Sequence, residues 1–287
     1  MNKKNIKAIL FALGAALFYG INVPVSKVLM SKVPATMMAA LLYLGAGIGI
    51  GIMSVFRKEN SERITNKDLP YVIGMILLDI AAPIFLMLGI HYGNAANASL
   101  LGNFEIVATT LIAMFVFHEH VSKRLWQAIG FITLSSFLLS FEGNEGFRFS
   151  LGSLFVLLAT SCWGLENNCT RMISSKSTYE IVVLKGIFSG LGSLCIAFLK
   201  GERLMGFSYA VYALLLGFVA YGLSIFLYVR AQNVLGAAKT SAYYAAAPFI
   251  GVFLSFVFLK EELTVIYFSA LLIMIIGTLL VVKDTLE

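Results

Sequence analysis

Four ionisable side chains lie inside long apolar stretches of the chain, where each needs either a partner or a function. They are Asp79, Glu105, Glu166 and Lys185. If these stretches cross a bilayer, an ionisable group near its centre costs about 2.5–3.5 kcal/mol on insertion scales, so such residues usually bind a substrate, a proton or one another. We therefore expect ligand or proton binding, or a structural ion pair, at each position.

Glu105 is the strongest candidate for a group that exchanges protons. Asn97, Leu101, Glu105 and Thr109 follow one another at intervals of four residues. On a continuous helix this interval places Glu105 on one face with other polar side chains. A carboxyl group in surroundings of low dielectric holds a proton more readily than it does in water. The pattern predicts a binding role for Glu105, with Asn97 beside it.

Asp79 and Lys185 leave more than one interpretation open. Asp79 precedes Pro83 by one helical turn, and the carbonyl oxygen that Pro83 leaves unpaired could also bind a cation or an amine. If Asp79 and Glu105 share a cavity, the two acids titrate as a pair. For Lys185 we favour a structural ion pair with Glu166 or another acid, and contact with a substrate carboxylate is the alternative.

Glu166 belongs to a nine-residue motif that occurs twice. Residues 163–171 read Trp-Gly-Leu-Glu-Asn-Asn-Cys-Thr-Arg, and residues 19–27, 144 positions earlier, read Tyr-Gly-Ile-Asn-Val-Pro-Val-Ser-Lys. Both copies contain an aromatic residue, glycine, an aliphatic residue and a polar residue, followed after three positions by a hydroxyl and a base. The repetition indicates two homologous halves.

On a helix, one face of the second copy carries a polar stripe of Trp163, Glu166, Asn167 and Thr170. A polar stripe within an apolar helix should face protein or water rather than lipid. Glu166 aligns with Asn22 of the first copy. We expect both to line a cavity, although hydrogen bonding between helices explains them equally well.

Aromatic residues accompany these acids. Trp163 shares the polar stripe, and Tyr243 and Tyr244 precede a run of small residues that ends at Pro248. Aromatic side chains at helical spacing usually serve packing. Near carboxylates, however, their faces would also suit an amine or amino acid through cation–π contact.

The composition excludes several classes of protein. Of the 287 residues, 59% are hydrophobic and only 13% are charged, about half the charged fraction of a soluble protein. The net charge of +6 does not indicate nucleic-acid binding, because the basic residues cluster at the ends of apolar runs. The sequence shows neither a phosphate-binding glycine loop nor a His/Cys metal cluster. We expect no cofactor, no metal and no enzymatic activity.

Ten apolar runs are long enough to cross a bilayer, which takes about 20 mostly apolar residues. We number them spans 1 to 10: 8–30, 35–56, 69–91, 95–117, 123–141, 151–173, 179–199, 209–231, 238–259 and 264–282. Span 1 follows basic residues as a signal peptide does, but it holds one copy of the motif, so we expect it to be retained. The predicted fold is an all-α integral membrane protein of ten transmembrane helices.

The basic residues predict the orientation. With the N-terminus inside, fourteen Lys and Arg residues lie in the inner segments and six in the outer ones, with Lys185 inside a span. Because Lys and Arg accumulate on the cytoplasmic side, we predict a multi-pass protein of the cell membrane with both termini in the cytoplasm.

The repeat extends beyond the first motif. Residues 95–99 match residues 237–241, and residues 117–122 match residues 259–264, at an offset of 142. Five spans per half is an odd number, so the second half enters the membrane from the opposite side. We predict two inverted five-helix repeats around a central cavity: 7–141 and 151–283.

These motifs, in this order and in two copies, resemble the ten-helix EamA type of the drug/metabolite transporter superfamily. The resemblance rests on the aromatic-glycine motifs of spans 1 and 6, the small residues that open spans 4 and 9, and the acidic ends at Glu119 and Glu261. It covers roughly residues 7–283. It implies a carrier of small metabolites, often an exporter of amino acids or related compounds, with spans 5 and 10 peripheral.

This sequence departs from the family pattern at one pair of positions. The family commonly has a Glu-Pro pair midway along span 4. Here Glu105-Ile106 keeps the acid, and the matching Ala247-Pro248 of span 9 keeps the proline. The predicted site is therefore asymmetric.

The predicted function is alternating-access transport of a small polar metabolite, with export of an amino acid or related amine favoured and proton coupling as a hypothesis. The alternative is a polytopic membrane enzyme acting on a lipid or lipid-linked substrate. Such an enzyme would need catalytic acids or histidines clustered near one membrane face. The expected partners are a small-molecule substrate, protons and the lipid bilayer, and monomer and homodimer both stay open.

Overall fold

The protein is a bundle of helices. The computed structural model describes residues 3–56, 62–117, 122–139, 150–203, 206–260 and 264–286. Within these ranges no strand forms, and one isolated β-bridge joins Glu62 to Lys176. An all-helical chain is compatible with a bilayer, because a helix satisfies its own backbone hydrogen bonds where water is absent.

The helices agree with the ten predicted spans within a few residues. Their bounds are Lys3–Gly20 and Asn22–Leu29 in span 1; Ala35–Phe56 in span 2; Leu69–Tyr92, after a 3₁₀ turn at Asn66–Asp68, in span 3; Ala95–Leu101 and Phe104–Phe117 in span 4; Lys123–Leu139 in span 5; Leu151–Ile173 in span 6; Thr178–Leu184, a π-helical turn Lys185–Ser189 and Gly190–Leu199 in span 7; Phe207–Leu216 and a π-helical turn Gly217–Leu223 in span 8; Ser224–Tyr244 across spans 8 and 9; Ala246–Leu254 and a π-helical turn Ser255–Leu259 in span 9; and Val265–Leu286 in span 10.

Length and composition alone would let six helical stretches of the described residues cross a membrane, and shorter apolar helices follow near the C-terminal end. Large apolar side chains remain exposed on the outside of the bundle, including Phe56 (82% exposed) and Leu272 (63% exposed). So much exposed apolar surface is unfavourable in water and suits contact with lipid.

Span 4 differs from the prediction. The sequence pattern predicts one continuous helix over 95–117, but the helix stops at Leu101 and restarts at Phe104. The amides of Gly102 and Asn103 donate to carbonyl oxygens three residues back, each over 3.2 Å. The interval of four residues assumes a continuous helix, so with this break the placement of Asn97 beside Glu105 stays a prediction.

The helices pack in reciprocal pairs. Span 3 lies along span 6 and span 8 along span 1, while span 4 contacts span 6 and span 9 contacts span 1. The remaining large contacts join spans 2 and 7, 2 and 8, 5 and 10, and 4 and 9, and a smaller contact joins spans 3 and 7. Exchanging the two halves maps each of these pairs onto another pair or onto itself. The inverted repeat itself stays a prediction, and this pairing supports it.

Two aligned glycines show the same reciprocity at atomic detail. A Cβ atom on Gly20 would lie 2.6 Å from Ile250 Cγ2, and one on Gly164 would lie 2.6 Å from Ala108 Cβ. Ile250 and Ala108 are themselves aligned at the offset of 142. The same close helix contact, which only glycine permits, therefore occurs once in each half.

Candidate functional site

Two adjoining cavities occupy the centre of the bundle, between the two halves. The first, which we call the Asn103 cavity, reaches Ser99, Asn103 and Pro248. The second, the Lys185 cavity, reaches Asp79, Glu166 and Lys185. The residues that line both cavities are Tyr19, Glu105, Trp163 and Tyr244.

The Lys185 cavity holds a buried ion triad. Lys185 Nζ lies 2.7 Å from Glu166 Oε1 and 3.3 Å from Asp79 Oδ2, and all three side chains are at most 5% exposed. Tyr43 donates its hydroxyl hydrogen to Asp79 Oδ1 over 2.6 Å, and Thr170 donates to Glu166 Oε1. The ion pair predicted for Lys185 is formed, with two acids rather than one.

Local helix geometry positions Lys185. It begins the π-helical turn Lys185–Ser189, and such turns are frequent at functional sites. The next residue, Gly186, packs so closely on span 2 that a Cβ atom would lie 2.2 Å from the backbone nitrogen of Gly47. Because Asp79 comes from the first half and Glu166 from the second, Lys185 joins the two halves electrostatically.

Glu105 has a different environment from the triad. It occupies the first turn of the helix Phe104–Phe117, where it accepts a hydrogen bond from Asn167 Nδ2 over 2.6 Å. The same amide donates to Thr109 Oγ1 over 3.4 Å. Among the ion pairs of the described residues, none includes Glu105. Its carboxyl group is held by a neutral amide and is available to a ligand.

The two cavities carry an excess of acid. Of the described residues that line them, three carry a carboxyl group, Asp79, Glu105 and Glu166, and one carries an ammonium group, Lys185. When all four are ionised, the site has a net negative charge. In a low dielectric this excess favours a cationic ligand or a proton over an anion.

Aromatic rings form the wall where the two cavities meet. Tyr19 and Trp163, the aligned aromatic residues of the repeated motif, pack edge to face with ring centroids 6.2 Å apart. Tyr244 lies against Tyr19 at 5.7 Å. Contact between equivalent residues of two repeats is expected on the axis that relates them, so this pair marks the centre of the molecule.

Not every predicted residue reaches a cavity. Six do: Asp79, Glu105, Trp163, Glu166, Asn167 and Tyr244. Asn97, Tyr243 and Asn22 lie outside the lining of both cavities. Asn22 donates to the Tyr221 hydroxyl over 3.4 Å and accepts from Ser26 over 3.0 Å. The sequence left two interpretations of Asn22 open, cavity lining and hydrogen bonding between helices. The bond to Tyr221 agrees with the second.

Sequence reasoning missed Ser99 and Asn103 as cavity residues. Both are uncharged, and the four-residue pattern through Glu105 passes over Asn103. The Gly102-Asn103 pair was the available signal, because glycine and asparagine favour turns over helix interiors. Part of the family resemblance rests on the acidic ends at Glu119 and Glu261. Both residues lie outside the described residues.

Comparison with known proteins identifies the family. The sequence model of the EamA-like transporter family matches residues 6–141 and, separately, residues 150–283. The chain belongs to the EamA-like transporter family. It is therefore a ten-helix membrane protein and a transporter, and the predicted fold class is confirmed.

Similar proteins agree with this assignment. An uncharacterized transporter of Methanothermobacter thermautotrophicus is 24% identical over 92% of this chain and 82% of its own length. The uncharacterized transporter YyaM of Bacillus subtilis is 20% identical over 88% of this chain and 86% of its own length. Both relatives are described as transporters and neither as an enzyme, which favours the transporter over the membrane enzyme.

A solved structure shares the fold. This crystal structure of a protein has 16% sequence identity to the chain and a TM-score of 0.74, and the match covers 97% of this chain and 96% of the other. At this identity the likeness concerns the fold alone.

Proposed function

We propose that this transporter is a secondary carrier that exports a small amine or amino acid in exchange for protons. The observation that carries the proposal is Glu105. It lines both central cavities, it is hydrogen-bonded to a neutral amide, and it belongs to no ion pair of the described residues. An acid in that position inside a membrane protein is a binding group by default.

The charge of the site favours a cationic substrate. Lys185 is already held between Asp79 and Glu166, which leaves it a poor partner for a substrate carboxylate. Glu105 can accept a substrate ammonium group while Tyr19, Trp163 and Tyr244 surround it with aromatic rings. Aromatic faces attract cations by about 0.5–2 kcal/mol, depending on how far the cation is desolvated.

Proton exchange follows from competition for one carboxylate. When Glu105 is ionised it binds the ammonium group, and when it is protonated it loses most of that attraction. A proton that arrives from one side can therefore release the substrate, and departure of the proton restores the binding site. Rocking of one half against the other around a fixed central site would expose Glu105 alternately to the two sides.

We also propose the cell membrane as the location, with both termini in the cytoplasm, because the Lys and Arg residues favour that orientation. The outward direction is proposed from the resemblance to a family whose members often export amino acids and related compounds.

A binding screen followed by counterflow tests the proposal. Purified protein is heated with amines, amino acids, simple carboxylic acids and nucleobases, and compounds that raise the unfolding temperature are carried into counterflow in liposomes. We expect stabilisation by compounds with an ammonium group, growing with concentration as binding to the folded state requires. We also expect saturable counterflow. Stabilisation by carboxylic acids alone, or flux that does not saturate, would contradict the proposal.

A further inference from the structure

A third cavity, which we call the basic cavity, lies at one end of the bundle. It is lined by the start of span 1, the segment that joins spans 6 and 7, and the end of span 8. Its described lining residues are all different from those of the two central cavities. With the predicted orientation, this end of the bundle lies at the cytoplasmic surface of the membrane. The proposed transport cycle makes no use of it.

The lining of this cavity is rich in positive charge. Of the described residues that line it, none is acidic and four are basic: Lys4, Lys7, Lys176 and Arg230. Lys176 is paired with Glu62, which lies outside this lining, over 2.9 Å. Lys4 and Lys7 belong to the first half and Arg230 to the second. An excess of cations favours an anionic ligand, and an anion between these residues would contact both halves.

Aromatic rings hold two of these cations in place. Arg230 Cζ lies 4.3 Å from the ring centroid of Phe226, and Lys7 Nζ lies 5.5 Å from that of Phe11. Such contacts position a cation without neutralising it, because a ring has no net charge. The guanidinium group of an arginine also presents its N–H donors in a planar fork that matches the oxygens of a phosphate. The cavity is therefore suited to a phosphate group.

The surface beside the cavity indicates where the phosphate comes from. The cavity residues of span 1 between Lys4 and Phe11 share one face of the helix. The neighbouring face carries Ile6, Leu10 and Leu13, which are 40%, 62% and 42% exposed. Exposed apolar side chains on a membrane protein contact acyl chains. A lipid can thus place its phosphate in the basic cavity and its acyl chains along this face.

We propose that the basic cavity binds the phosphate headgroup of an anionic lipid from the cytoplasmic leaflet, chiefly through Lys7 and Arg230. Anionic lipids give that leaflet its negative surface potential, and basic pockets between transmembrane helices bind their headgroups. A soluble phosphate would meet the same cations but would gain nothing from the apolar face of span 1. The proposal rests on the predicted orientation and is independent of the proposed transport function.

Native mass spectrometry of the purified, delipidated protein tests this proposal. The affinity for the first bound lipid is measured with phosphatidylglycerol and with phosphatidylcholine that has the same acyl chains, and inorganic phosphate is the soluble probe. The site variant is Lys7→Gln with Arg230→Gln. The matched control is Lys67→Gln with Lys123→Gln, which removes the same charge from the same predicted side of the membrane but outside the described lining of the cavity.

We expect wild-type protein to bind phosphatidylglycerol at least about tenfold more tightly than phosphatidylcholine, because each cation near the membrane surface favours an anionic headgroup. The site variant should reduce this preference to about twofold or less, whereas the control variant should keep it. Inorganic phosphate should bind wild-type protein at least about tenfold more weakly than phosphatidylglycerol, because it buries no apolar surface.

Equal binding of the two lipids by wild-type protein would overturn the proposal, and that comparison needs no variant to fold. An undiminished preference in the folded site variant, or the same loss in the control variant, would overturn it as well. Inorganic phosphate that binds as tightly as phosphatidylglycerol would assign the cavity to a soluble phosphate and reject the lipid. All these outcomes leave the proposed transport function standing, because counterflow tests it separately.

Discussion

At the scale of single residues, the same chemical group has two different roles at this site. Asp79 and Glu166 are both within ion-pair distance of Lys185, whereas Glu105 is hydrogen-bonded to Asn167. In a buried ion pair each charge offsets the cost of burying the other. Loss of one member therefore leaves an isolated charge in a low dielectric, which is unfavourable. An acid that is hydrogen-bonded to an amide carries no such dependence and is free to bind and release a ligand.

The first prediction follows from this contrast. Lys185→Met should lower the free energy of unfolding by about 3–5 kcal/mol, because it leaves Asp79 and Glu166 buried without a cation. Glu105→Gln should change it by less than about 1 kcal/mol, since Asn167 can donate to the new carbonyl oxygen. Thermal unfolding of the purified variants in detergent gives both values. Equal stability of Lys185→Met and wild type would show that the triad does not hold the halves together.

Residues in the site differ in how far the sequence predicts them. Glu105 and Asp79 stand out because a charge inside an apolar run is costly and needs an explanation. Ser99 and Asn103 do not stand out, because small uncharged side chains are common in transmembrane helices. They stand out only in the folded chain, where both line the Asn103 cavity and where Ser99 Oγ and Asn103 Nδ2 form no hydrogen bond. Hydrogen-bond partners between distant helices cannot be read from the sequence.

At the scale of elements, the site depends on interrupted helices. Span 4 breaks at Gly102 and Asn103, span 7 contains the π-helical turn that begins at Lys185, and Gly236 turns the chain between spans 8 and 9 with φ of 80°. Hydropathy predicts where a span begins and ends, because the bilayer imposes its length. It does not predict an interruption, because a periodic pattern assumes a continuous helix.

The second prediction concerns packing between these elements. Gly164→Ala should lower the free energy of unfolding by about 1–3 kcal/mol, because its methyl group would meet Ala108 and the backbone of Thr109. Gly130→Ala is the control: it lies within a helix of span 5 and its Cβ atom would meet nothing within 4 Å. Alanine there should leave stability unchanged or raise it slightly. Thermal unfolding would contradict the packing account if both variants lost the same stability.

At the scale of the whole molecule, two similar halves surround a central site. The family model matches each half separately, and the helices pair reciprocally between the halves. The aligned Tyr19 and Trp163 meet at the junction of the two cavities. The repeated motif predicts two similar halves, and the separate family matches confirm them. Their inverted insertion follows from an odd number of spans per half and stays a prediction. The cavities themselves depend on side-chain packing across the halves, which no local pattern contains.

The third prediction tests the inverted arrangement. With both termini in the cytoplasm, the segment between spans 5 and 6 must lie on the outer side, because five spans separate it from either terminus. Reporter fusions at the C-terminus and after residue 145 should therefore be active on opposite sides of the membrane. Each position is fused in turn to a reporter that is active only in the cytoplasm and to one that is active only outside. At each position one reporter should be active and the other inactive, so each controls for the other. The same side for both positions would disprove the inverted repeat.

The most direct test of the account is proton movement through Glu105. Wild-type protein and Glu105→Gln are reconstituted at equal density in liposomes that contain a pH-sensitive dye, with Gly130→Ala as the control, and a gradient of a stabilising amine or amino acid is applied. We predict that the substrate gradient drives proton flux through wild type and Gly130→Ala, and that Glu105→Gln reduces this flux to background while remaining folded. Undiminished coupled flux through Glu105→Gln would contradict the account.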